Sequence, residues 1–310
     1  MHQTNTIHKR DSLIFDVKHY SINDGPGIRT TVFFKGCPLR CTWCHNPESF
    51  SPKQEKMYWE SKCIGARDCI RVCPNQALTL THQGIVTDAD KCHLCGLCVD
   101  ACPGKAMEIS GRTLSTEALL ALLEKERLVF DQTGGGVTFS GGEPLFHYPL
   151  LLEMLKACGE HDIHRTVDTS GYAKTENIRE VARHTDLFLY DLKLVDEQKH
   201  RFYTGVSNEI ILKNLRILAC EGAPLQIRIP FIHNVNSDRE SVEQFALFLS
   251  GLDGNIREIN LLPYHNIASG KYKRLGKENP AEKLQEPNGE EMERALACFS
   301  RHGLQARIGG

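Results

Sequence analysis

A chain of 310 residues is long enough for one large domain with a smaller one attached. Its hydrophobic content of 41%, charged content of 25% and net charge of -2 are ordinary for a globular protein and exclude electrostatic nucleic-acid binding as its main business. No apolar run is long enough to span a membrane, and residues 1–11, polar and carrying His8, Lys9 and Arg10, lack the apolar stretch of a signal peptide, so a cytoplasmic location is expected.

Residues 29–35 (Arg-Thr-Thr-Val-Phe-Phe-Lys) read as a strand that delivers the chain to Cys37-Pro-Leu-Arg-Cys41-Thr-Trp-Cys44. Three cysteines at this spacing can each place a thiolate on an iron–sulfur cube and leave its fourth iron without a protein ligand. An open iron is a chemical site, because a small molecule can chelate it. The competing reading is half of a zinc site, but no fourth Cys or His stands at zinc-ribbon spacing nearby.

A Cys-rich module follows from Glu48 to Arg112. Cys92-x-x-Cys95-x-x-Cys98-x-x-x-Cys102-Pro is the run of a bacterial two-cluster ferredoxin. The earlier half, Cys63-x-x-Ala66-x-x-Cys69-x-x-x-Cys73-Pro, keeps the register with alanine in place of the second cysteine. In such pairs the fourth cysteine crosses to the other cluster. Cys73, Cys92, Cys95 and Cys98 then form a complete set. Cys63, Cys69 and Cys102 form a set lacking one thiolate, to be filled by a three-iron cluster or by Asp68, water or another group. Zinc binding, or a degenerate insert without metal, is the competing reading. Ten of the 13 cysteines lie between Cys37 and Cys102 in metal-type spacings, which favours reduced thiolates on iron over disulfides. Cys158, Cys220 and Cys298 fall in helical patterns and are expected as small buried hydrophobes.

Beyond Arg112 the pattern changes. Ser115 is the expected N-cap of a helix with Leu119, Leu122, Leu123 and Phe130 on one side. Strands are then expected at 137–140, 164–168, 187–192, 225–230 and 256–262, and helices at 148–160, 176–184, 197–203, 208–221, 239–251 and 290–302. With the strand before Cys37 this makes six strands, short of a closed eight-fold barrel. The expected fold is α/β, a partial open (β/α)6 barrel built from 1–47 and 113–310, with a small ferredoxin-like two-cluster insert at 48–112. Chemistry should gather at the carboxyl ends of the strands. Unusual residues do cluster there in the sequence: the Cys37 loop, Gly141-Gly-Glu-Pro144, Asp168-Thr-Ser-Gly171, Asp191-Leu-Lys193, Arg228 and His265.

These residues together resemble a known family. Cys37-x-x-x-Cys41-x-aromatic-Cys44 matches the radical S-adenosylmethionine (SAM) signature. Asp24-Gly-Pro-Gly-Ile-Arg-Thr30, Gly141-Gly-Glu-Pro144 and Leu262-Pro-Tyr-His265 are similar to the glycyl-radical-enzyme activating enzymes, over essentially Ser12 to Leu304. The insert marks their longer type. The resemblance implies SAM chelated at the open iron, one electron passed into its sulfonium, and a 5′-deoxyadenosyl radical that removes an α-hydrogen from one glycine of a partner enzyme. No side chain is then catalytic; the SAM-bound cluster carries the chemistry.

The same resemblance assigns roles. Cys37, Cys41 and Cys44 hold the catalytic cluster. Trp43, Cys44, His45, Gly141, Gly142, Glu143, Asp191, Leu192, Lys193, Arg228 and His265 contact SAM, with Glu143 toward its amino group and Lys193 and Arg228 toward its carboxylate and ribose edges. Asp168, Thr169, the carbonyl of Leu189 and Asp191 form a monovalent-cation site. The turn Asp24, Gly25, Pro26, Gly27 helps accept the partner's glycine segment. The implied partners are a glycyl-radical enzyme of lyase or dehydratase type and a reductant such as flavodoxin or ferredoxin, in an anaerobic setting, with no nucleic acid and no membrane. Singly, these residues also have plainer readings: Gly-Gly-Glu-Pro as an ordinary turn, Asp168 as a turn cap, Lys193 and Arg228 as surface charges, His265 as structural. Other functions compatible with parts of the sequence are a radical SAM enzyme acting on a small molecule, a ribonucleotide-reductase activase, or an electron-transfer protein built around the insert.

Overall fold

The structure, a computed structural model, describes residues 13–309 apart from Gln83 and Asn255; the reading of residues 1–11 lies outside the described residues. β1 (Ile14–Ser21) runs antiparallel to β2 (Arg29–Phe34). The chain then leaves the main sheet. β3 (Glu55–Tyr58), β4 (Leu78–Thr81), β5 (Gly84–Thr87) and β6 (Met107–Ser110) form two small antiparallel pairs, β3 with β6 and β4 with β5. Two short helical turns, Asp68–Arg71 and Leu97–Asp100, sit between them. The chain returns through β7 (Gly136–Gly141), β8 (His164–Thr169), β9 (Leu187–Asp191), β10 (Leu225–Phe231), β11 (Ile256–Pro263) and β12 (Ala306–Ile308).

The main sheet has the order β1-β2-β7-β8-β9-β10-β11-β12, and every pairing after β1–β2 is parallel. All six expected strands are present. β1 and β12 extend the sheet at its two edges, and the short length of β12 and the polar alternation of β1 hide them in the sequence. Helices cross between successive strands, among them Tyr148–Glu160, Thr175–Ala182, Glu209–Cys220, Arg239–Ser250 and Gly289–Arg301. The helix expected after Ser115 is split: Ser115 caps Thr116–Leu123 through a 3.1 Å bond from Ala118 N, and a tighter turn at Glu124–Glu126 precedes Arg127–Thr133. Cys158 and Cys298 are buried as expected, but Cys220 is exposed, because it is the last residue of its helix and lies off the apolar stripe.

Strand alternation decides what each face of the sheet does. Val32, Phe34, Val137, Phe139, Val167, Phe188, Tyr190, Ile227, Ile229 and Leu261 pack against helix residues such as Leu151, Met154, Leu155, Ile178, Leu215, Leu218, Phe245 and Phe299 in one continuous core. The residues between them point the other way and are mostly polar: Thr31, Thr138, Ser140, Thr166, Asp168, Asp191, Gln226, Arg228 and Asn260. Thr31, Thr138, Ser140, Thr166 and Asn260 are nonetheless buried. A buried face made of hydroxyls, amides and charges costs stability unless its groups find partners, which marks it as the functional face.

Candidate functional site

The cysteine loop begins where β2 ends. Gly36 turns the chain at a φ of 97°, and a side chain there would run into the Phe146 ring at 2.8 Å. The loop is tied down by Gly36 N to Ser49 O (2.7 Å), Arg40 N to Thr204 O (2.7 Å) and Thr42 N to Tyr203 O (2.9 Å). Leu39, Cys41 and Trp43 pack with Leu194, Ile232, Val235 and Tyr264 in a second apolar cluster. Burial pushes the thiols of Cys37, Cys41 and Cys44 upward, Cys44 to about 12, and the closeness of Cys41 adds to the push on Cys37 and on Cys44. Three mutually repelling thiolates, one buried and two half-buried, are unstable alone. A cationic iron centre removes that penalty, so the donor set fits an iron–sulfur cluster with three protein thiolates.

The Gly-Gly-Glu-Pro segment is the seat of this loop. Gly142 N donates to Phe34 O (2.8 Å) and Glu143 N to Gly36 O (3.0 Å). Gly141 has a φ of 119°, and its ideal Cβ would lie 2.2 Å from Phe34 N. Gly141 is therefore required by the close approach of the β2 backbone, and Gly142 by that of the cysteine loop, whose Gly36 carbonyl oxygen would lie 2.4 Å from its ideal Cβ. The Glu143 side chain is 1% exposed, and both oxygens are occupied: Oε1 accepts from Thr169 Oγ1 (2.5 Å) and Leu145 N (3.1 Å), Oε2 from Ser170 N (2.9 Å) and Ser170 Oγ (2.6 Å). Burial still holds this carboxyl above its usual range, against the pull of those donors.

Below the loop, two ion pairs line the polar face. Lys193 Nζ meets Asp191 Oδ2 at 2.8 Å, and Arg228 Nη1 meets Asp168 Oδ2 at 3.4 Å, with Ser140 Oγ donating to the same oxygen at 2.6 Å. Burial lifts Asp168 to about 6, more than Arg228 pulls it down, and Asp191 adds to the lift. Burial acts to lower Lys193, but Asp191 and the thiols of Cys41 and Cys37 outweigh it and raise the ammonium's hold on its proton. Arg228 Nε, Thr166 Oγ1 and Asn260 Nδ2 are buried without a hydrogen-bond partner among the described residues. Unfilled donors on a buried face fit a polar, anionic ligand.

The other expected residues fall as follows. His45 and His265 stack with ring centroids 4.8 Å apart, and His45 Nε2 lies 3.1 Å from His265 O. Trp43 packs on Tyr203 at 5.8 Å. Leu192 puts its side chain into the main core, and its N–H donates to Arg228 O at 2.9 Å. Arg228 lies inside β10, not at its end as expected; strand alternation turns it onto the polar face. Thr169 gives its hydroxyl to Glu143, Asp168 pairs with Arg228 and Asp191 with Lys193, so three of the four residues expected at a cation site are committed to other side chains.

The turn Asp24-Gly-Pro-Gly27 lies at the amino end of β2, opposite the cysteines. Arg29 organises it, a role the sequence did not reveal. Its buried guanidinium donates to Pro26 O (2.9 Å), Val137 O (2.7 Å), Thr138 Oγ1 (2.7 Å) and His164 O (3.2 Å). Asp24 Oδ2 accepts from Thr31 Oγ1 at 2.7 Å, and Gly27 lies against the backbone of Thr133 and Gly135.

In the insert, Cys73, Cys92, Cys95 and Cys98 line one cavity. Cys69 lies close enough to Cys102 and Cys63 for their charges to act on it. Ala77 N donates to Cys73 Sγ (3.3 Å) and Ala106 N to Cys102 Sγ (3.2 Å), the same amide-to-sulfur bond after each Cys-Pro. Asp68 is engaged by Arg71, while the Tyr58 hydroxyl approaches Cys63. Lys56 and Tyr58, side by side on one face of β3, were not foreseen; their only signal was the alternation of a four-residue strand.

Comparison with known proteins adds three family matches: Radical SAM superfamily over residues 89–248, 4Fe-4S dicluster domain over 62–113, and 4Fe-4S single cluster domain over 23–81. The trans-4-hydroxy-L-proline dehydratase activating enzyme of Clostridioides difficile is 44% identical, with 96% of this chain and 99% of that protein covered. The choline trimethylamine-lyase activating enzyme of Oleidesulfovibrio alaskensis is 39% identical, with 97% and 98% covered. A crystal structure of a domain of pyruvate-formate lyase-activating enzyme from Bacteroides vulgatus superposes with a TM-score of 0.50 at 42% identity, covering 57% of this chain and all of that one.

Proposed function

Because this chain belongs to the glycyl-radical enzyme activating enzymes of the radical SAM superfamily, we propose that Cys37, Cys41 and Cys44 hold the cluster at which SAM is cleaved, and that the polar face beneath them binds SAM. The activity of the family is reductive cleavage of SAM to a 5′-deoxyadenosyl radical, which abstracts an α-hydrogen from a glycine of the partner enzyme. When bound, the cluster supplies the electron for that cleavage. The observation that carries the assignment is a set of three thiols on one loop, one buried and two half-buried, with Cys37 set against Gly142, on a sheet whose polar face carries unfilled buried donors.

The chain's own residues bind and orient. Arg228 and Lys193 offer positive charge to the SAM carboxylate, while Asp168 and Asp191 keep both cations in place. Trp43, His45 and His265 supply ring faces for the adenosine end. Glu143 acts chiefly through its grip on Thr169 and Ser170, which fixes the segment under the cysteines. The contacts of Asp168, Thr169 and Asp191 give a monovalent cation no separate support.

The module at 48–112 is read as a ferredoxin-like insert in a barrel of 1–47 and 113–310. It holds one cluster on Cys73, Cys92, Cys95 and Cys98, and one on Cys63, Cys69 and Cys102 that either has three irons or takes a non-cysteine fourth ligand. The reductant is a flavodoxin or ferredoxin in an anaerobic cytoplasm, and the insert relays its electrons or helps dock the partner. None of the described helices is long and apolar enough to cross a membrane. The partner is a glycyl-radical enzyme of lyase or dehydratase type, and the Asp24–Gly27 turn receives its glycine-bearing segment.

The test is anaerobic reconstitution, reduction, and addition of SAM with candidate partners, among them a hydroxyproline dehydratase and a choline lyase. A glycine-centred doublet in the electron paramagnetic resonance (EPR) spectrum of one of them identifies the partner. 5′-Deoxyadenosine without any doublet keeps SAM cleavage and rejects the partners tried. Loss of both with intact clusters rejects the site.

A further inference from the structure

Lys56 lies at the centre of β3, paired in register with Ile109 of β6. Both residues line the cavity formed by Cys73, Cys92, Cys95 and Cys98. The ammonium is buried and meets no carboxylate, carbonyl or hydroxyl among the described residues; the acceptor it approaches is the Cys98 sulfur. A buried ammonium without an oxygen acceptor or a counter-charge is costly, and it persists where an anion is meant to meet it. Its charge acts on Cys98, which belongs to the complete ligand set, and also on Cys69, which belongs to the incomplete one. Lys91 lines the same cavity, but its ammonium is exposed and pairs with Asp88 at 3.1 Å.

We propose that Lys56 is a shared cation for the two clusters of the insert, donating hydrogen bonds to cluster sulfur on both sides and holding both reduction potentials up. This rests on the reading of the insert as a two-cluster module. A one-electron reduction by an external donor adds one negative charge to a cluster and transfers no proton. A fixed positive charge at short range in a low-dielectric interior stabilises the reduced form, and hydrogen bonds to sulfur act in the same direction. Lys56 is thus a positioning residue for electrons. It lets the insert accept an electron from a carrier and keeps the two clusters close in potential, so that the electron moves between them without a large uphill step.

The experiment uses the full chain with Cys37, Cys41 and Cys44 replaced by alanine, so that only insert clusters report. Iron and sulfide analysis first establishes that two clusters are loaded; a chain that loads fewer refutes the reading of the insert, and the proposal with it. EPR-monitored titration with dithionite then follows Lys56→Met, Lys56→Arg and, as an exposed control, Lys53→Met. The expected result is a lower potential for both clusters in K56M, with the reduced-to-oxidised ratio at the parent midpoint falling about tenfold, about 59 mV for one electron. K56R and K53M should stay near the parent. Potentials in K56M that match K53M, or a shift confined to one cluster, overturn the proposal. If K56M does not load, lysine-specific ¹⁵N labelling of the loaded chain carrying Lys91→Arg decides: a ¹⁵N hyperfine coupling on both reduced clusters supports a shared Lys56, and its absence overturns it.

Discussion

Gly142 lies directly beneath Gly36: an ideal Cβ on Gly142 would stand 2.4 Å from the Gly36 carbonyl oxygen and 3.1 Å from Cys37 Cβ. Those neighbours are backbone and the first residue of the cysteine loop, so they cannot rotate aside. Gly142→Ala should cost about 1–3 kcal/mol by overpacking and lift Cys37 from its seat. The expected outcome is loss of about four irons per chain, those of one cubic cluster, with the insert clusters retained. Gly289→Ala, whose Cβ meets nothing, is the control and should load fully. Iron analysis and thermal unfolding of both variants check this.

Arg29 presents a second rigid element, at the far end of β2. One planar guanidinium serves three backbone carbonyls and one hydroxyl drawn from three segments. Lysine offers a single nitrogen and cannot reach them together. Arg29→Lys should lower stability by about 2–4 kcal/mol, because the carbonyls of Pro26, Val137 and His164, the second of them buried, lose a donor. Urea unfolding measures it, and limited proteolysis at residues 22–28 should quicken in parallel. Unchanged midpoints would show that water replaces the guanidinium without loss.

The strands and helices of the barrel were legible because each strand is a short run rich in apolar and β-branched residues and each helix buries one stripe; Tyr148–Glu160 matches its expected bounds to the residue. The iron–sulfur character of the chain was legible from spacing alone, since cysteine offsets are local. What escaped depends on contacts distant in sequence. Arg29 contacts residues more than 100 positions away, and an arginine opening an apolar strand otherwise reads as surface charge. Glu143 reads as a ligand-facing carboxylate, but Thr169 and Ser170, which occupy it, belong to the next strand's end. Lys56 stands in a strand of four residues, too short for periodicity to assign a face.

The Asp168–Arg228 pair gives a pH signature. Asp168 is raised from 3.8 to about 6 in the folded chain, with burial as the largest cause. A raised carboxyl binds its proton more tightly when folded, so its contribution to stability is complete below about pH 4 and is lost as pH rises through about 6. Comparing the metal-free chain with Asp168→Asn should therefore show wild type gaining on the variant as pH falls from about 7 to about 4, by about 3 kcal/mol in all. Thermal or urea unfolding across that range reads the difference. The opposite slope would mean that the ion pair with Arg228 outweighs burial.

The gap in the insert makes the sharpest stoichiometric prediction. Arg67 and Gly96 each hold a left-handed conformation, with φ of 62° and 84°, at the N-cap of a four-residue helical turn. Ala66 and Cys95 immediately precede them, and both are exposed. The backbone at 66 is therefore set as at 95, and only the thiol is missing. Ala66→Cys should complete the Cys63, Cys69 and Cys102 set without moving the chain. Wild type is expected to hold fewer than about twelve irons per chain, or to keep a non-thiolate ligand that chelators or exogenous thiols displace; Ala66→Cys should bring it to about twelve and remove that lability. Iron and sulfide analysis with Mössbauer spectroscopy distinguishes the cases. Three all-cysteine cubic clusters in wild type would mean that a cysteine from outside the insert fills the gap.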